Sequence, residues 1–136
     1  EREIMPEKAT LKRAREDKRE GKAPTTQAGE FVREEMHHVR EGKHGARNPK
    51  QAIAIGLSKA RRAGVKLGPP AKGPGRERTR RQAKRDYAKG QSQPNRKPNP
   101  RRSRAVSQAL KRESRRSASR PALAQQARSA ARHRRS

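Results

Sequence analysis

The chain has 136 residues, with 39 Lys and Arg against 13 Asp and Glu, so its formal net charge is +26. It contains no cysteine, which excludes a disulfide framework and a thiolate metal site. Only 13 residues are Leu, Ile, Val or Phe, and no apolar run approaches the ~20 residues of a membrane span. We therefore expect a mostly α-helical protein, in which one short helical hairpin is flanked by basic, largely disordered arms.

The first segment, residues 1–24, is a charged arm. Pro6 can open a helix there, and Gly21 can close it. Leu11 is the only large apolar residue between them, so the helix has too little apolar surface to be buried. The sequence predicts a solvated helix.

The second segment, residues 25–67, contains most of the large apolar residues and is the predicted helical hairpin. Thr26 can cap its first helix, and Val32, Met36 and Val39 then recur at the spacing of one helix face. Gly42 marks the predicted end of that helix.

The second helix of the hairpin has strong signals at both ends. Asn48 fits the N-cap, Pro49 the first helical position and Gln51 a capping box, while Gly64 fits the position after the last turn. Three cations in the last turn suit the helix dipole, namely Lys59, Arg61 and Arg62. One face of the helix is an aliphatic stripe of Ile53, Leu57 and Ala60. Beside it lies a stripe of small residues, namely Ala52, Gly56 and Ala63. The small residues predict a close approach of another backbone.

The remaining chain is divided into a Pro/Gly-broken basic linker, residues 68–100, and an Arg/Ser/Ala-rich tail, residues 101–136. The linker has breaks at 68–75 and 90–100 around a helix-permissive stretch. In the tail, one basic helix can form around Val106, and Pro121 can begin another. Repulsion between arginines opposes both helices in the free chain, so we expect them to order on a polyanion.

The charge distribution predicts that the tail and linker bind phosphate most strongly. Residues 68–136 carry a net charge of +19, against +7 for residues 1–67. Predicted contacts from the hairpin are Lys43, Arg47, Lys50, Arg61 and Arg62. Predicted contacts from the arms are Arg80, Arg81, Lys84, Arg85, Arg101, Arg102, Arg104, Arg115 and Arg116. Such contacts neutralise nucleic acid without discriminating its sequence.

Catalytic and metal chemistry is not predicted. Histidines and glutamates are common around the first helix end, and the pairs His37/Glu41 and Glu34/His38 each lie four residues apart. Neither pair follows a zincin pattern, and too few apolar residues are present to build a cleft around a carboxylate pair. We therefore expect no catalytic residue, no metal, no cofactor and no enzymatic activity.

The string KQAIAIGLSKARRAGV at 50–65, preceded by FVREEM and HGAR, resembles a bacterial family of small basic proteins of unknown function. The resemblance covers residues 25–67 and implies a bacterial origin but no ligand or catalytic residue. The tail is similar in composition to the linker-histone-like tails of bacterial nucleoid proteins.

The expected function is that of a histone-like, nucleoid-associated protein that neutralises and compacts DNA without sequence preference, in the cytoplasm. We expect no membrane association, and the hairpin can dimerise. An RNA- or ribosome-associated basic protein is the first alternative, because phosphate contacts do not separate DNA from RNA. A helical interaction module with solubilising tails is the second.

Overall fold

The computed structural model describes residues 6–94, 100–113 and 115–135, so part of the predicted break at 90–100 lies outside it. Within the described residues the chain forms six α-helices, a 3₁₀ turn at Arg116–Ala118 and no strand. The helices are α1 (Lys8–Arg19), α2 (Pro24–Arg40), α3 (Pro49–Arg62), α4 (Glu77–Ser92), α5 (Pro100–Lys111) and α6 (Arg120–Arg135). The mostly α-helical class is confirmed, and none of the described helices is long and apolar enough to cross a membrane.

Helix α2 begins earlier than predicted. Its N-cap is Ala23, which has extended backbone and no side-chain cap, and Pro24 occupies the first turn. The prediction of Thr26 as the cap is wrong, because the fixed φ of Pro24 suits the first helical position and the first turn loses no hydrogen bond there. The predicted end is correct, since Gly42 follows the helix with a φ of +78°.

Both ends of α3 form as the sequence predicted, except that the Gln51 side chain accepts from the Arg47 backbone N–H rather than from that of the N-cap Asn48. The Asn48 side chain accepts a hydrogen bond from the Gln51 backbone N–H at 2.9 Å. Gly64 has a φ of +104°, and the Val65 N–H donates to the Ala60 carbonyl at 3.1 Å. This is the Schellman arrangement, in which a residue without Cβ reverses the chain after the last turn.

The pairing of α2 with α3 forms the centre of the fold. The two backbones come so close at Gly56 that an added Cβ would lie 2.6 Å from Val32 Cα. Two apolar clusters flank this contact, and both consist mainly of small residues. One contains Ala14, Ala28, Phe31, Ala60 and Val65, and the other contains Val39, Ala46, Ala52 and Ala118.

Helix α1 packs on α2, whereas the sequence predicted a solvated helix. Thr10 and Ala14 are buried, and the Arg13 Nε lies 2.9 Å from Glu30 Oε2 of α2. The prediction failed because small side chains suffice for this contact. Where two helices lie close together, a side chain as small as that of Ala14 fills the space between them and becomes buried.

Helix α4 packs against the C-terminal half of α3. A Cβ added to Gly90 would lie 1.7 Å from the Arg61 carbonyl oxygen, so the two backbones are in direct contact there. The Ser58 hydroxyl donates to Asp86 at 2.7 Å, and Asp86 itself is buried. The helix-permissive stretch of the linker is therefore part of the packed structure.

The tail also contacts the hairpin. Ala118 is fully buried beside Val39, and the Gly45 N–H donates to the Leu110 carbonyl at 2.7 Å. The Arg40 Nε donates to the Ala118 carbonyl at 3.0 Å. The expectation of largely disordered arms is not confirmed, because most of the tail forms α5 and α6 and its 3₁₀ turn packs on α2.

Candidate functional site

An arginine-lined depression lies where the tail meets the end of α2. It is open to solvent, has a volume of about 580 Å³ and is lined by Arg40, Arg115, Arg116, Ala118, Ser119 and Arg120. We call it the arginine depression. Four of its six lining residues are cationic and none is acidic, so it is suited to a multiply charged anion.

Hydrogen bonds to main-chain carbonyls orient two of these arginines. Arg40 donates through Nε to the Ala118 carbonyl, and Arg115 donates through one terminal nitrogen to the Arg40 carbonyl. A guanidinium has five N–H donors, so one such bond leaves most of its donors for another acceptor. The fold thus holds the two side chains across the junction of hairpin and tail.

A second basic surface lies where the linker meets α4. This groove has a volume of about 290 Å³ and is lined by Lys72, Gly73, Arg76, Glu77, Arg80, Arg81 and Lys84. We call it the linker groove. The Arg80 Nε donates to the Pro70 carbonyl at 3.2 Å, which ties the helix to the proline-rich segment. Five cations against one carboxylate leave a strong positive excess there.

The structure brings together some of the cations that the sequence singled out. Arg115 and Arg116 share the arginine depression, while Arg80, Arg81 and Lys84 share the linker groove. The other predicted contacts that are exposed lie outside both surfaces, and they are Lys43, Arg47, Lys50, Arg85, Arg101, Arg102 and Arg104.

Two predicted contacts on α3 have structural partners. Arg61 is 8% exposed and donates to the carbonyls of Leu67 and Gly68 at 3.1 and 3.0 Å. Burial lowers the pKa of its guanidinium from the ordinary value. Arg62 is half-buried, with its Nε 3.8 Å from Asp86. Arg61 therefore holds the chain after α3 and presents little of its side chain to a ligand.

The interior of the hairpin contains a cluster of ionisable side chains that we call the polar core. Its members are Glu34, Glu35, His38, His44 and Lys59, each at most 4% exposed. The Lys59 ammonium contacts Glu35 Oε1 directly and lies 3.6 Å from Glu34 Oε2. His44 Nε2 lies 3.1 Å from Glu35 Oε2. Buried charge of this kind is costly unless it is paired, so each of these contacts compensates the burial of the group that it joins.

The protonation of the polar core follows from these contacts. Burial raises the pKa of Glu35, but the hydrogen bond with His44 and the charge of Lys59 outweigh it, so that pKa lies below its ordinary value. The hydrogen bond with Glu35 raises the pKa of His44 against the opposing effect of burial. At the edge of the cluster, the hydrogen bond with His38 lowers the pKa of Glu7. The carboxylates of Glu35 and Glu7 are thus held ionised.

The sequence did not indicate all of these residues. Arg40, Arg120, Lys72 and Arg76 line the two basic surfaces, but nothing local distinguishes them from other cations of the chain. Lys59 was assigned to the helix dipole, whereas it is buried against two glutamates of α2. Lys59 lies on the same helix face as the small residues Ala52 and Gly56. This position was the available indication that its side chain faces inward.

Residues 24–73 match the model of a family of unknown function, DUF6496. The match covers the hairpin and the start of the linker, which is somewhat more than a third of the chain, and it includes every member of the polar core. It supports the resemblance to an uncharacterised domain family. Neither the curated proteins nor the solved structures contain a significant match to this chain.

Proposed function

We propose that this protein binds nucleic acid through its phosphates, with DNA favoured over RNA and without preference for base sequence. The observation that carries the proposal is the arginine depression, in which four guanidinium groups converge and no acidic residue contributes. Together with a net charge of +26, it matches what a polyphosphate requires of a protein surface.

The chemistry of guanidinium groups favours phosphate as the ligand. Arginine presents a planar fork of donors that can bond two phosphate oxygens at once, and it remains charged at any physiological pH. Each neutralised phosphate releases condensed counterions, so binding gains free energy that falls as salt rises. The linker groove supplies a second set of cations that can follow a backbone.

Duplex is favoured over single-stranded ligand because aromatic side chains are scarce. Single-strand binders stack bases on aromatic rings, and this chain has one Phe and one Tyr. Phe31 is fully buried in the hairpin and cannot stack. The preference for DNA rests on the similarity of the tail to nucleoid proteins, and the proposed role is the neutralisation and compaction of the bacterial chromosome.

A salt titration of duplex binding tests the proposal. Fluorescence anisotropy with two unrelated duplexes of equal length should give equal affinities. If about ten cations engage at once, the slope of log K against log salt is roughly −9, and affinity falls by about five orders of magnitude between ~50 and ~200 mM salt.

Duplex RNA of the same length and a single-stranded oligonucleotide serve as comparison ligands in the same titration. The proposal expects duplex DNA to bind most tightly of the three. A flat salt response, or a preference for one duplex that persists at ~200 mM salt, would contradict phosphate-based binding. Tighter binding to the RNA would favour the RNA-associated alternative.

A further inference from the structure

Two polar atoms in the polar core have no hydrogen-bond partner. They are His38 Nδ1 and Glu34 Oε2, both shielded from solvent within residues that are 4% exposed. A buried polar atom without a hydrogen bond destabilises the folded state, so its presence in a small core calls for an explanation such as a ligand. His38 Nδ1 lies 3.9 Å from Glu35 Oε1, which places it at the cluster rather than at the protein surface.

In each of the two histidines, the ring nitrogen that points away from Glu35 lies against a hydrogen-bond acceptor. His38 Nε2 lies 3.0 Å from Glu7 Oε1, so this nitrogen is placed to donate, and in the tautomer with its proton on Nε2 the Nδ1 lone pair is available to a ligand. His44 Nδ1 lies 2.9 Å from the Gly45 carbonyl, so it also donates. The two inner nitrogens, His38 Nδ1 and His44 Nε2, are therefore directed towards the same carboxylate, Glu35.

This arrangement is the one that metal-binding histidines adopt. Such histidines donate their second ring N–H to a carboxylate or a main-chain carbonyl, which fixes the ring and the tautomer. Glu7 and the Gly45 carbonyl fill these two roles. One donor atom each from Glu35, His38 and His44 lies within 4.8 Å of the others. Ligand atoms around a tetrahedral zinc are separated by about 3.4 Å, so small side-chain shifts close the site.

If a cation binds Glu35, Glu34 is close enough to serve Lys59 as a second acceptor. Its ammonium contacts Glu35 Oε1 and lies 3.6 Å from Glu34 Oε2, the oxygen that lacks a hydrogen bond. A divalent cation bound between Glu35 and His44 replaces the proton that His44 Nε2 shares with Glu35, and it leaves Glu34 to neutralise Lys59.

We propose that the polar core is a binding site for a divalent transition metal of the zinc class, with Glu35, His38 Nδ1 and His44 Nε2 as ligands. Glu7 and the Gly45 carbonyl orient the two rings. Histidine nitrogen and carboxylate oxygen are suitable zinc ligands and need no thiolate. This site contradicts the expectation from the sequence that the protein binds no metal. It is independent of the nucleic-acid proposal, because it lies inside the hairpin and uses none of the basic surface.

Zinc binding by the untagged full chain tests the site. The protein is freed of metal with a chelator and titrated with Zn²⁺ against a chromophoric competitor, and Co²⁺ absorption reports the coordination geometry. We expect one equivalent bound and a tetrahedral Co²⁺ spectrum. His38→Gln and His44→Gln should each weaken binding by at least about 10-fold, since first-sphere losses exceed those of outer-sphere partners.

The chain provides a matched control on the same helix. His37 is exposed and adjacent to His38, so His37→Gln should leave zinc affinity unchanged. Glu7→Gln removes the orienting carboxylate charge together with its contact to Lys43, and it should weaken binding by about 10-fold at unchanged stoichiometry. Circular dichroism checks that each variant is folded, and Glu7→Gln decides the matter if the ligand variants unfold. The proposal is overturned if the wild type binds no stoichiometric zinc, if His37→Gln weakens binding as much as His38→Gln, or if Glu7→Gln has no effect.

Discussion

The hairpin and the tail use charge in opposite ways. In the hairpin, the polar core buries two glutamates, two histidines and a lysine, and the acidic and basic groups contact one another. In the tail, arginines are exposed and line a depression that contains no acid. Charges buried in the fold need partners of opposite sign, whereas an excess of positive charge at the surface attracts a polyanion. The two regions should therefore respond differently to mutation and to salt.

The largest expected effect is on the polar core. Lys59→Met leaves the buried Glu35 carboxylate without its ammonium partner, and breaking a buried ion pair in this way costs about 3–5 kcal/mol. Urea denaturation followed by circular dichroism measures the loss. Lys50→Met on the same helix is the control, because Lys50 is exposed and should change stability by less than about 0.5 kcal/mol. Similar effects of both substitutions would mean that the buried pair contributes little.

A smaller effect is expected at the contact that closes the hairpin over the polar core. Gly56→Ala forces α3 away from the α2 backbone, because the new Cβ would lie 2.6 Å from Val32 Cα. Overpacking of this kind costs about 1–3 kcal/mol. Gly29→Ala is the counterpart in α2, where a Cβ meets nothing within 4 Å and alanine should raise stability by up to about 1 kcal/mol. Thermal unfolding should move in opposite directions for the two variants, and a shared direction would contradict the close approach.

Docking of the tail should have the smallest effect on stability. Ala118→Leu adds a side chain where Ala118 is fully buried, so it should loosen the tail and cost about 1 kcal/mol. Limited proteolysis should then cleave residues 100–135 faster and leave the hairpin resistant. Ala105→Leu on the exposed side of α5 should not change the cleavage rate. Equal protection of the tail in both variants would show that it is not held through Ala118.

The sequence predicts the parts of the fold that depend on neighbouring residues. The ends of α3 follow from Asn48, Pro49 and Gly64, because caps are formed within a few residues of chain. Docking of α1 and the tail could not be predicted, since Ala14 and Ala118 give no apolar signal yet pack where backbones lie close together. The polar core joins residues from α2, α3 and the loop between them, and no local pattern shows that Lys59 faces Glu35.

The basic surface was predictable in kind but not in position. Composition alone indicates phosphate binding, and the excess of charge in residues 68–136 favours the C-terminal half. The arginine depression could not be predicted, because it forms only when the 3₁₀ turn docks on the end of α2 and brings Arg40 to the tail. Arg61 was predicted as a phosphate contact for the same compositional reason, although its side chain donates to main-chain carbonyls in the turn after α3.

If the exposed arginines of the tail bind phosphate as a unit, the salt dependence of DNA binding by a triple variant should reveal it. Arg115→Gln, Arg116→Gln and Arg120→Gln together remove three charges from the arginine depression while retaining polar side chains. The matched control removes three exposed charges from α1, through Lys12→Gln, Arg15→Gln and Arg19→Gln. Each lost phosphate contact reduces the slope of log K against log salt by about 0.9.

For duplex DNA, the depression variant should therefore show a slope shallower by roughly 2.7, while the α1 control changes it by less than about 1. Equal changes in the two variants would mean that net charge alone drives binding. An unchanged slope in the depression variant would contradict phosphate binding by the arginine depression.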